Sequence, residues 1–555
     1  MSVLIDAATV TVPPTPRRMR ALLGAATSIA IVCACAGSTG GDAGDASDAG
    51  HVPLASIPTC PNRNDAPICN GESVRCIPVG ADETATMGSE FPASAGLMGR
   101  VVYVRPGAIA GGDGSLAMPF ATIEAAVGAV PAADAVLLAR GAHTIATTVT
   151  LDRSIILRGV GADASATRLE ASANTVAIHA SGMAVAVTIE RLCIRFAPST
   201  VDRTMERAIL VDGGARAAID NVLVEGAYTG IETTNATIFA RHMTVRGAGR
   251  YAMLIGPETT ATIEDFVVAD SSLYGVVARN SHVELSRGWI HDNVRDGLAV
   301  LGNRGMASVV REVASVRNGV TAMRFENGAN VLMEHATAAG SVLPPDTIGA
   351  DGVYVGPGST LVVDPADPQT ARGTASCFVG NGRTGLLING LGASFSARGI
   401  RVASNQGPGM YNQAHAVVQS LAFADFFDNS AINLCSAANA QIVAITDSRI
   451  AYAHLGEVTT TFATFRLADG ISISESPGSV SVLIARNQFD FNERFAILLA
   501  GTAATLSANT GMGNRFGIGA YGSSLTIDSY DTIGAREPSP ISIPNGARGP
   551  MEPSR

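Results

Sequence analysis

The sequence predicts an all-β protein whose body is a right-handed parallel β-helix solenoid with an N-terminal capping helix. Its apolar residues come in short runs separated by Gly, Asn, Asp and Ser, which is typical of short buried strands. A unit of Asn, a few polar residues and Gly also recurs, and Gly230, Ala252, Gly275 and Gly297 are spaced 22, 23 and 22 residues apart. A period of this length, with no helical pattern between the units, indicates a solenoid of stacked coils. The right-handed sense follows from the chirality of β-strands.

Residues 1–35 are interpreted as an export signal. A cluster of arginines precedes the apolar stretch 21–32, which is shorter than the roughly 20 residues that a membrane helix needs. The stretch ends in Val-Cys-Ala-Cys, which resembles a bacterial lipobox and implies lipid attachment at Cys35. An ordinary cleaved signal and a buried helix remain alternatives, and the start codon is Met1 or Met19.

The segment that follows the signal predicts an exported, anchored protein. Alanine, not aspartate, follows Cys35, which in lipoproteins of this kind implies sorting to the outer membrane. Residues 36–59 are rich in Gly, Asp and Ala and predict a flexible tether. Residues 60–99 contain three disulfide candidates whose pairing is open, namely Cys60, Cys69 and Cys76. The other cysteines lie in apolar runs and are interpreted as small buried residues: Cys193, Cys377 and Cys435.

The β-helix is predicted over residues 100–535, followed by a Pro-rich tail over 536–555. Near its start, residues 121–130 have a helical apolar face, and a helix laid across the first coil would shield that coil from water. The residues of this face are Phe120, Ile123, Val127 and Val130. The length predicts about 18 to 20 coils. Two stretches, 340–375 and 455–480, break the period and predict loop excursions.

The opening of this body resembles that of pectate-lyase-like β-helix proteins. The matching features are the VYV strand at 101–104 with Pro106 and Gly107, the Asp113-Gly114 turn, the PFATIEAA segment at 119–126, and the strands that end at Gly141 and Gly159. The resemblance implies the fold. It implies little about activity, because one fold serves many functions.

Composition excludes several function classes. The chain has 38 basic residues, all of them arginine, so no lysine can act as a base or form a Schiff base. The net charge of −10 and the scattered arginines argue against nucleic acid as a partner. The cysteine and histidine spacings fit no metal site, so no metal and no cofactor is predicted, with calcium as the one alternative.

One column of polar residues is a weak candidate for catalysis. Alignment of the coils on Gly275 and Gly297 places Asp270 beneath Asp292 and Arg317 in the next coil. Two adjacent carboxylates would repel and raise one pKa, or recruit a cation. Alternatively, Arg317 neutralises them in a solvated turn. His291 is expected to point to the opposite face if the strand continues.

Motifs that resemble those of known β-helix enzymes are incomplete. Trp289-Ile290-His291-Asp292 is similar to the Trp-Ile-Asp-His of pectate lyases but reverses the last two residues, and no hydrolase or epimerase motif occurs. Tyrosines recur at intervals of 23 residues and are a weak candidate for a sugar platform or for ordinary stacking: Tyr228, Tyr251 and Tyr274.

These observations favour a non-catalytic surface protein, held to the membrane only through its lipid, that binds polysaccharides or cell-surface components. A divergent polysaccharide lyase, hydrolase or epimerase is the second hypothesis, and a structural spacer is the third.

Overall fold

The computed structural model describes residues 65–68, 75–78, 89–162, 166–197, 203–303, 305–342, 350–363, 376–437, 439–459, 464–474, 481–527 and 531–535. The predicted signal, the lipid attachment at Cys35, the tether and the Pro-rich tail lie outside these ranges. So do Cys60, Cys69 and the side chain of Cys76. The described body is a right-handed parallel β-helix, which confirms the predicted fold class.

Each coil contributes a strand to three parallel faces, which are named here in chain order within a coil. Face 1 is a sheet of fifteen strands in sequential order. Its strands are Val149–Leu151, Val176–Ser181, Arg207–Asp212, Thr229–Thr233, Tyr251–Ile255, Tyr274–Arg279, Leu298–Leu301, Thr321–Glu326, Asp351–Val355, Leu386–Asn389, Met410–Gln413, Ile432–Ser436, Asp469–Ser474, Phe495–Ala500 and Phe516–Tyr521.

Faces 2 and 3 meet at one sharp corner. Six long strands cross from face 2 to face 3: Ala186–Phe196, Arg216–Glu225, Thr237–Arg246, Thr260–Ala269, His282–His291 and Ser308–Val316. Face 2 also contains Val101–Val104, Ala135–Leu138, Ile155–Arg158, Asn330–Glu334, Thr360–Val363, Ser394–Arg398, Val417–Ala422, Gln441–Ile442, Ala444–Thr446, Val482–Ala485, Ala503–Ser507 and Ser524–Ile527. Face 3 also contains Gly141–Ile145, Thr167–Ala171, Thr337–Ala339, Cys377–Val379, Arg401–Ala403, Asp425–Phe427, Arg449–Ala451, Gln488–Asp490, Thr510–Asn514 and Thr532–Ala535.

The corner is made by a single residue in the left-handed conformation. In neighbouring coils this residue is Asp265 (φ 49°) and Arg287 (φ 49°). One left-handed residue redirects an extended chain sharply, so a ten-residue strand can cover two faces. The side chain of the corner residue points outward, which is why charged residues occupy a position that usually favours glycine.

The turn from face 3 to face 1 contains the predicted asparagine ladder. The ladder residues are Asn293, Asn318, Asn381, Asn405, Asn429, Asn492 and Asn514, all buried. In the middle of the ladder, Nδ2 of Asn381 donates to Oδ1 of Asn405 (3.0 Å), and Nδ2 of Asn405 donates to Oδ1 of Asn429 (2.8 Å). The left-handed residue is the one before each asparagine, as at Ser404 (φ 53°) and Asp428 (φ 57°), whereas the sequence interpretation assigned it to the asparagine.

The interior is one continuous column of aliphatic and aromatic side chains. Fully buried phenylalanines recur along it at Phe266, Phe325, Phe378, Phe395, Phe426 and Phe489. Because each coil hides the next from water, the apolar runs of the sequence become the core without any other domain packing on them.

The capping helix α1 covers the first coils but is shorter than predicted, at Ile123–Val127. Thr122 caps it by accepting a hydrogen bond from the backbone N–H of Ala125 (3.2 Å), and its buried residues are Ile123, Ala126 and Val127. Val130 was expected on the buried face, but it is 92% exposed. The helix ends before it, at Gly128, whose N–H bonds back to the helix carbonyls.

The coils are fewer than the length suggests, because some of them carry excursions. Successive face-1 strands are 30 residues apart at Met323 and Val353, 33 at Val353 and Leu386, and 37 at Leu434 and Ile471. The last of these coils carries an antiparallel hairpin, Gly456–Thr459 with Thr464–Leu467. A second antiparallel pair, Asp65–Ile68 with Arg75–Pro78, precedes the solenoid.

The described cysteines differ in state. Cys193 and Cys435 carry buried free thiols, as predicted for small core residues. Burial raises the pKa of the Cys193 thiol to about 12, and the nearby carboxylate of Glu225 adds to this effect. Cys377 is disulfide-bonded, so the interpretation of it as a simple buried residue was wrong.

Candidate functional site

The predicted column lies at the turn between face 3 and face 1. Asp270, Asp292 and Arg317 occupy the left-handed position of three successive coils, with φ of 56°, 55° and 53°. The backbone N–H of Asp270 donates to the carbonyl of His291 (3.3 Å), and that of Asp292 donates to the carbonyl of Val316 (3.3 Å). The coil alignment made from glycine spacing therefore places these three residues correctly in adjacent coils.

Arg317 engages one of the two carboxylates. Its Nε and Nη2 donate to Oδ1 and Oδ2 of Asp292 at 2.8 and 2.6 Å. Burial acts to raise the pKa of Asp292, but hydrogen bonds from His291 and Arg317 and the charge of Arg317 outweigh it, so that pKa lies well below its usual value. The expected increase in pKa from carboxylate repulsion does not occur at Asp292, because the arginine compensates its charge.

His291 does not point to the opposite face. Its Nδ1 lies 2.6 Å from Oδ2 of Asp292, and its ring stacks on Trp289 with centroids 4.1 Å apart. The strand ends at His291, and the left-handed conformation of Asp292 folds the chain back, so the alternation of an extended strand does not apply. His291, Asp292 and Arg317 thus form one hydrogen-bonded group at the edge of face 1.

Two of the three predicted tyrosines stack on the outer side of face 1. The rings of Tyr251 and Tyr274 are 5.4 Å apart and inclined by 17°. Tyr228 lies one register position away, because Thr229 pairs with Tyr251 and the carbonyl of Tyr228 accepts from the N–H of Arg250 (2.8 Å). The interval of 23 residues was read as one coil, but the coil between these two strands has 22.

Exposed arginines lie over this pair of rings. The guanidinium carbons of Arg250 and Arg279 are 4.9 and 5.8 Å from the ring centroid of Tyr251, and that of Arg295 is 5.4 Å from the centroid of Tyr274. Arg279 also donates to the hydroxyl of Tyr251 (3.3 Å). These five residues are called the Tyr–Arg platform.

The arginines of the platform retain unneutralised charge. Among the described residues, no carboxylate forms an ion pair with any of the three, although arginines elsewhere on the solenoid pair repeatedly with carboxylates of adjacent coils. Cation–π contact holds a guanidinium in place without neutralising it. The platform is therefore a fixed cluster of positive charge on a protein whose net charge is −10.

Asp296 lies beside the platform and was not singled out by sequence. It follows Arg295 and sits next to Tyr274 in the adjoining coil, where its carbonyl accepts the N–H of Gly275 (3.0 Å). Its side chain is almost completely buried, and its Oδ1 has no hydrogen-bond partner. Nε of Arg324 is 3.2 Å from Oδ2. Burial raises the pKa of Asp296, although the charges of Arg324 and Arg295 oppose the increase.

Two other coils show how a carboxylate in this position is normally satisfied. Asp351 and Asp469 begin their face-1 strands, as Asp296 precedes its own. Each accepts a two-pronged contact from an arginine of the next coil, Arg383 or Arg494, and a hydrogen bond from the following backbone N–H. Next to Asp296, the position of these arginines is occupied by an apolar side chain, that of Val320.

Sequence reasoning missed Asp296 for a specific reason. It stands in the dipeptide Asp296-Gly297, as the other two stand in Asp351-Gly352 and Asp469-Gly470. Asp-Gly usually marks an exposed turn, whereas here it begins a buried strand. The recurrence of Asp-Gly at one place in the repeat was the available signal.

The described part of the chain offers no further class of site at this surface. It holds no group of three or more His, Cys, Asp or Glu arranged to bind a metal ion. Within the same ranges, no helix is both long and apolar enough to cross a bilayer.

Comparison with known proteins finds similarity in solved structures. No protein-family model and no curated protein sequence matches the chain. A pectate lyase is 13% identical over 76% of this chain and 81% of its own, with a TM-score of 0.29. The periplasmic alginate epimerase AlgG is 11% identical over 67% and 76%, with a TM-score of 0.33. The A-module of an Azotobacter vinelandii mannuronan C-5 epimerase is 10% identical over 73% and 91%, with a TM-score of 0.26.

Proposed function

We propose that this protein binds an acidic polysaccharide along face 1, with the Tyr–Arg platform as its recognition site. The observation that carries the proposal is the set of exposed, unneutralised guanidinium groups of Arg250, Arg279 and Arg295 over two stacked rings. A guanidinium presents a fork of donors that matches a carboxylate, and tyrosine rings pack against the apolar faces of sugars.

The shape of the solenoid suits an extended polymer. Coils are about 4.8 Å apart, so equivalent side chains recur along face 1 at a spacing close to the length of one sugar unit. Arg279 and Arg295 come from successive coils and offer two such positions. Because their guanidinium groups are already positioned on rings, little side-chain entropy is lost when the ligand binds.

The test is calorimetric titration of the ectodomain with polygalacturonate, alginate and a neutral glucan. We expect binding of the two acidic polymers only, weakened at least tenfold in the double variant Arg279→Gln/Arg295→Gln and by increasing salt. Arg216→Gln, which removes an exposed arginine from face 2, is the matched control. Equal affinity for the neutral glucan, or no loss in the double variant, would contradict the proposal.

A catalytic role is the second candidate, favoured by the unpartnered, protonatable carboxyl of Asp296. A carboxyl with a raised pKa beside a sugar-binding surface has the properties of a general acid. If the protein cleaves uronate polymers, unsaturated or reducing ends should accumulate and should fall at least a hundredfold in Asp296→Asn. Product formation that persists in Asp296→Asn but is lost in Asp292→Ala would instead assign catalysis to the turn column.

We further propose that the protein is displayed at the cell surface through a lipid on Cys35. The lipobox-like Val-Cys-Ala-Cys and the acidic tether of residues 36–59 support this proposal. Cells grown with an alkyne fatty acid should label the wild-type protein and not Cys35→Ser. Equal labelling of both would overturn the assignment.

A further inference from the structure

A second concave surface lies far from the platform, along the corner between faces 2 and 3. It is a groove of about 370 Å³ that crosses five coils. One wall consists of corner residues, including Asp447 and Arg486, and the other of the outward residues that begin the face-3 strands. Its volume is within the range of small-molecule sites, and its length suits an extended ligand.

The charges along the floor of the groove alternate and then stop. Arg401, Asp425, Arg449 and Gln488 occupy the same register position in successive coils, so the order is positive, negative, positive and neutral. Oδ2 of Asp425 is 3.6 Å from Nε of Arg401, and its Oδ1 is 4.0 Å from Nη1 of Arg449. Both distances exceed those of charge-assisted hydrogen bonds, so one carboxylate serves two guanidinium groups without satisfying either.

The wall adds donors but little net charge. Arg486 donates to both oxygens of Asp447 at 2.7 and 2.6 Å, which neutralises that pair. The guanidinium of Arg486 is nevertheless 59% exposed, and that of Arg449 is 46% exposed. The formal charges of the lining side chains sum to one positive charge, which lies at the level of Arg449 and Gln488.

We propose that this groove is a second binding site, for a short acidic oligosaccharide whose carboxylate lies between Arg449 and Arg486, above Gln488. A carboxylate there continues the alternation of charge that ends at Arg449 and gives its guanidinium the partner that Asp425 does not supply. The amide of Gln488 and the hydroxyls that line the groove offer hydrogen bonds to the sugar. This site is independent of the platform, since it lies on another face and several coils away.

The experiment is titration of the ectodomain with trigalacturonate at low salt, in an Arg279→Gln/Arg295→Gln background that disables the platform. We expect one remaining site, weakened at least tenfold by Arg449→Gln and unchanged by Arg311→Gln, which alters a similarly exposed arginine on face 2. Galacturonate monomer should bind more weakly than the trimer, because it contacts fewer of the groove's donors.

Several outcomes would overturn the assignment. Loss of all trimer binding in the Arg279→Gln/Arg295→Gln background would show that the groove binds nothing, while leaving the platform proposal intact. Inorganic sulfate binding as tightly as the trimer would show a simple anion site. Equal binding of neutral maltotriose would show that the carboxylate is not recognised. Trimer binding in this background together with no polymer binding by the wild type would support the groove and contradict the platform.

Discussion

At the scale of single residues, two aspartates four positions apart have opposite environments. Asp292 is held by His291 and Arg317, which lower its pKa, whereas burial raises the pKa of Asp296. The difference comes from which side chains the neighbouring coil supplies. One coil on, Arg317 reaches Asp292 with two hydrogen bonds, while Asp296 has only the longer contact with Arg324.

This contrast predicts opposite effects of substitution on stability. Because the folded pKa of Asp296 is raised, its contribution to stability is present below the unfolded pKa of about 4 and is lost as pH rises through the folded pKa. Asp296→Asn should therefore increase the free energy of unfolding at pH 7, and the gain should vanish near pH 4. Urea unfolding followed at both pH values measures it.

Asp292→Asn provides the contrasting case. The folded pKa of Asp292 is lowered, so its stabilising contribution is present above the unfolded pKa and is lost as pH falls through the folded one. This variant should be less stable than the wild type at pH 7 and approach it in strong acid. The same sign for both variants at pH 7 would refute the assigned environments.

At the scale of elements, the asparagine ladder joins the coils. Asn405 accepts from the backbone N–H and the Nδ2 of Asn381 at 3.0 and 3.0 Å, and its own Nδ2 reaches the carbonyl of Phe378 (3.1 Å) and Oδ1 of Asn429 (2.8 Å). A single side chain thus connects three coils inside a turn from which water is excluded. Buried amides satisfied in this way fix the register of coils whose aliphatic interiors are interchangeable.

Asn405→Ala should destabilise the solenoid by about 2–4 kcal/mol, because it leaves buried donors and an acceptor of Asn381, Asn429 and the backbone unsatisfied. Asn330→Ala, at an exposed strand position, is the control and should change stability by less than about 0.5 kcal/mol. Thermal and urea unfolding measure both. A loss below about 1 kcal/mol for Asn405→Ala would show that the ladder adds little stability.

At the scale of the whole molecule, the sequence predicted what repeats and missed what depends on pairing between unequal coils. The period located the coils, the ladder and the column of Asp270, Asp292 and Arg317, because each needs only a constant spacing. It overestimated the number of coils, since excursions lengthen three of them to 30, 33 and 37 residues. The contact of Asp296 with Arg324 and the groove at the corner depend on which side chains adjacent coils bring together.

A solenoid also distributes its stability unevenly, because each coil contacts only its neighbours. The end of the stack is the weak point, and here helix α1 protects it by burying Ile123 against the first coils. Without that contact the first coil exposes its apolar cross-section and should open before the rest. The cap is therefore a local determinant of the stability of the N-terminal end.

Ile123→Ala should cost about 2–5 kcal/mol in the first coils and little elsewhere. Hydrogen exchange followed by mass spectrometry should show faster exchange in the strands Val101–Val104 and Ala135–Leu138, with no change in Phe495–Ala500 at the far end. Ile109→Ala is the matched control, because Ile109 is near in sequence and 90% exposed. Uniformly faster exchange along the whole solenoid would mean that it unfolds as one cooperative unit, and the nearest-neighbour account of its stability would then be wrong.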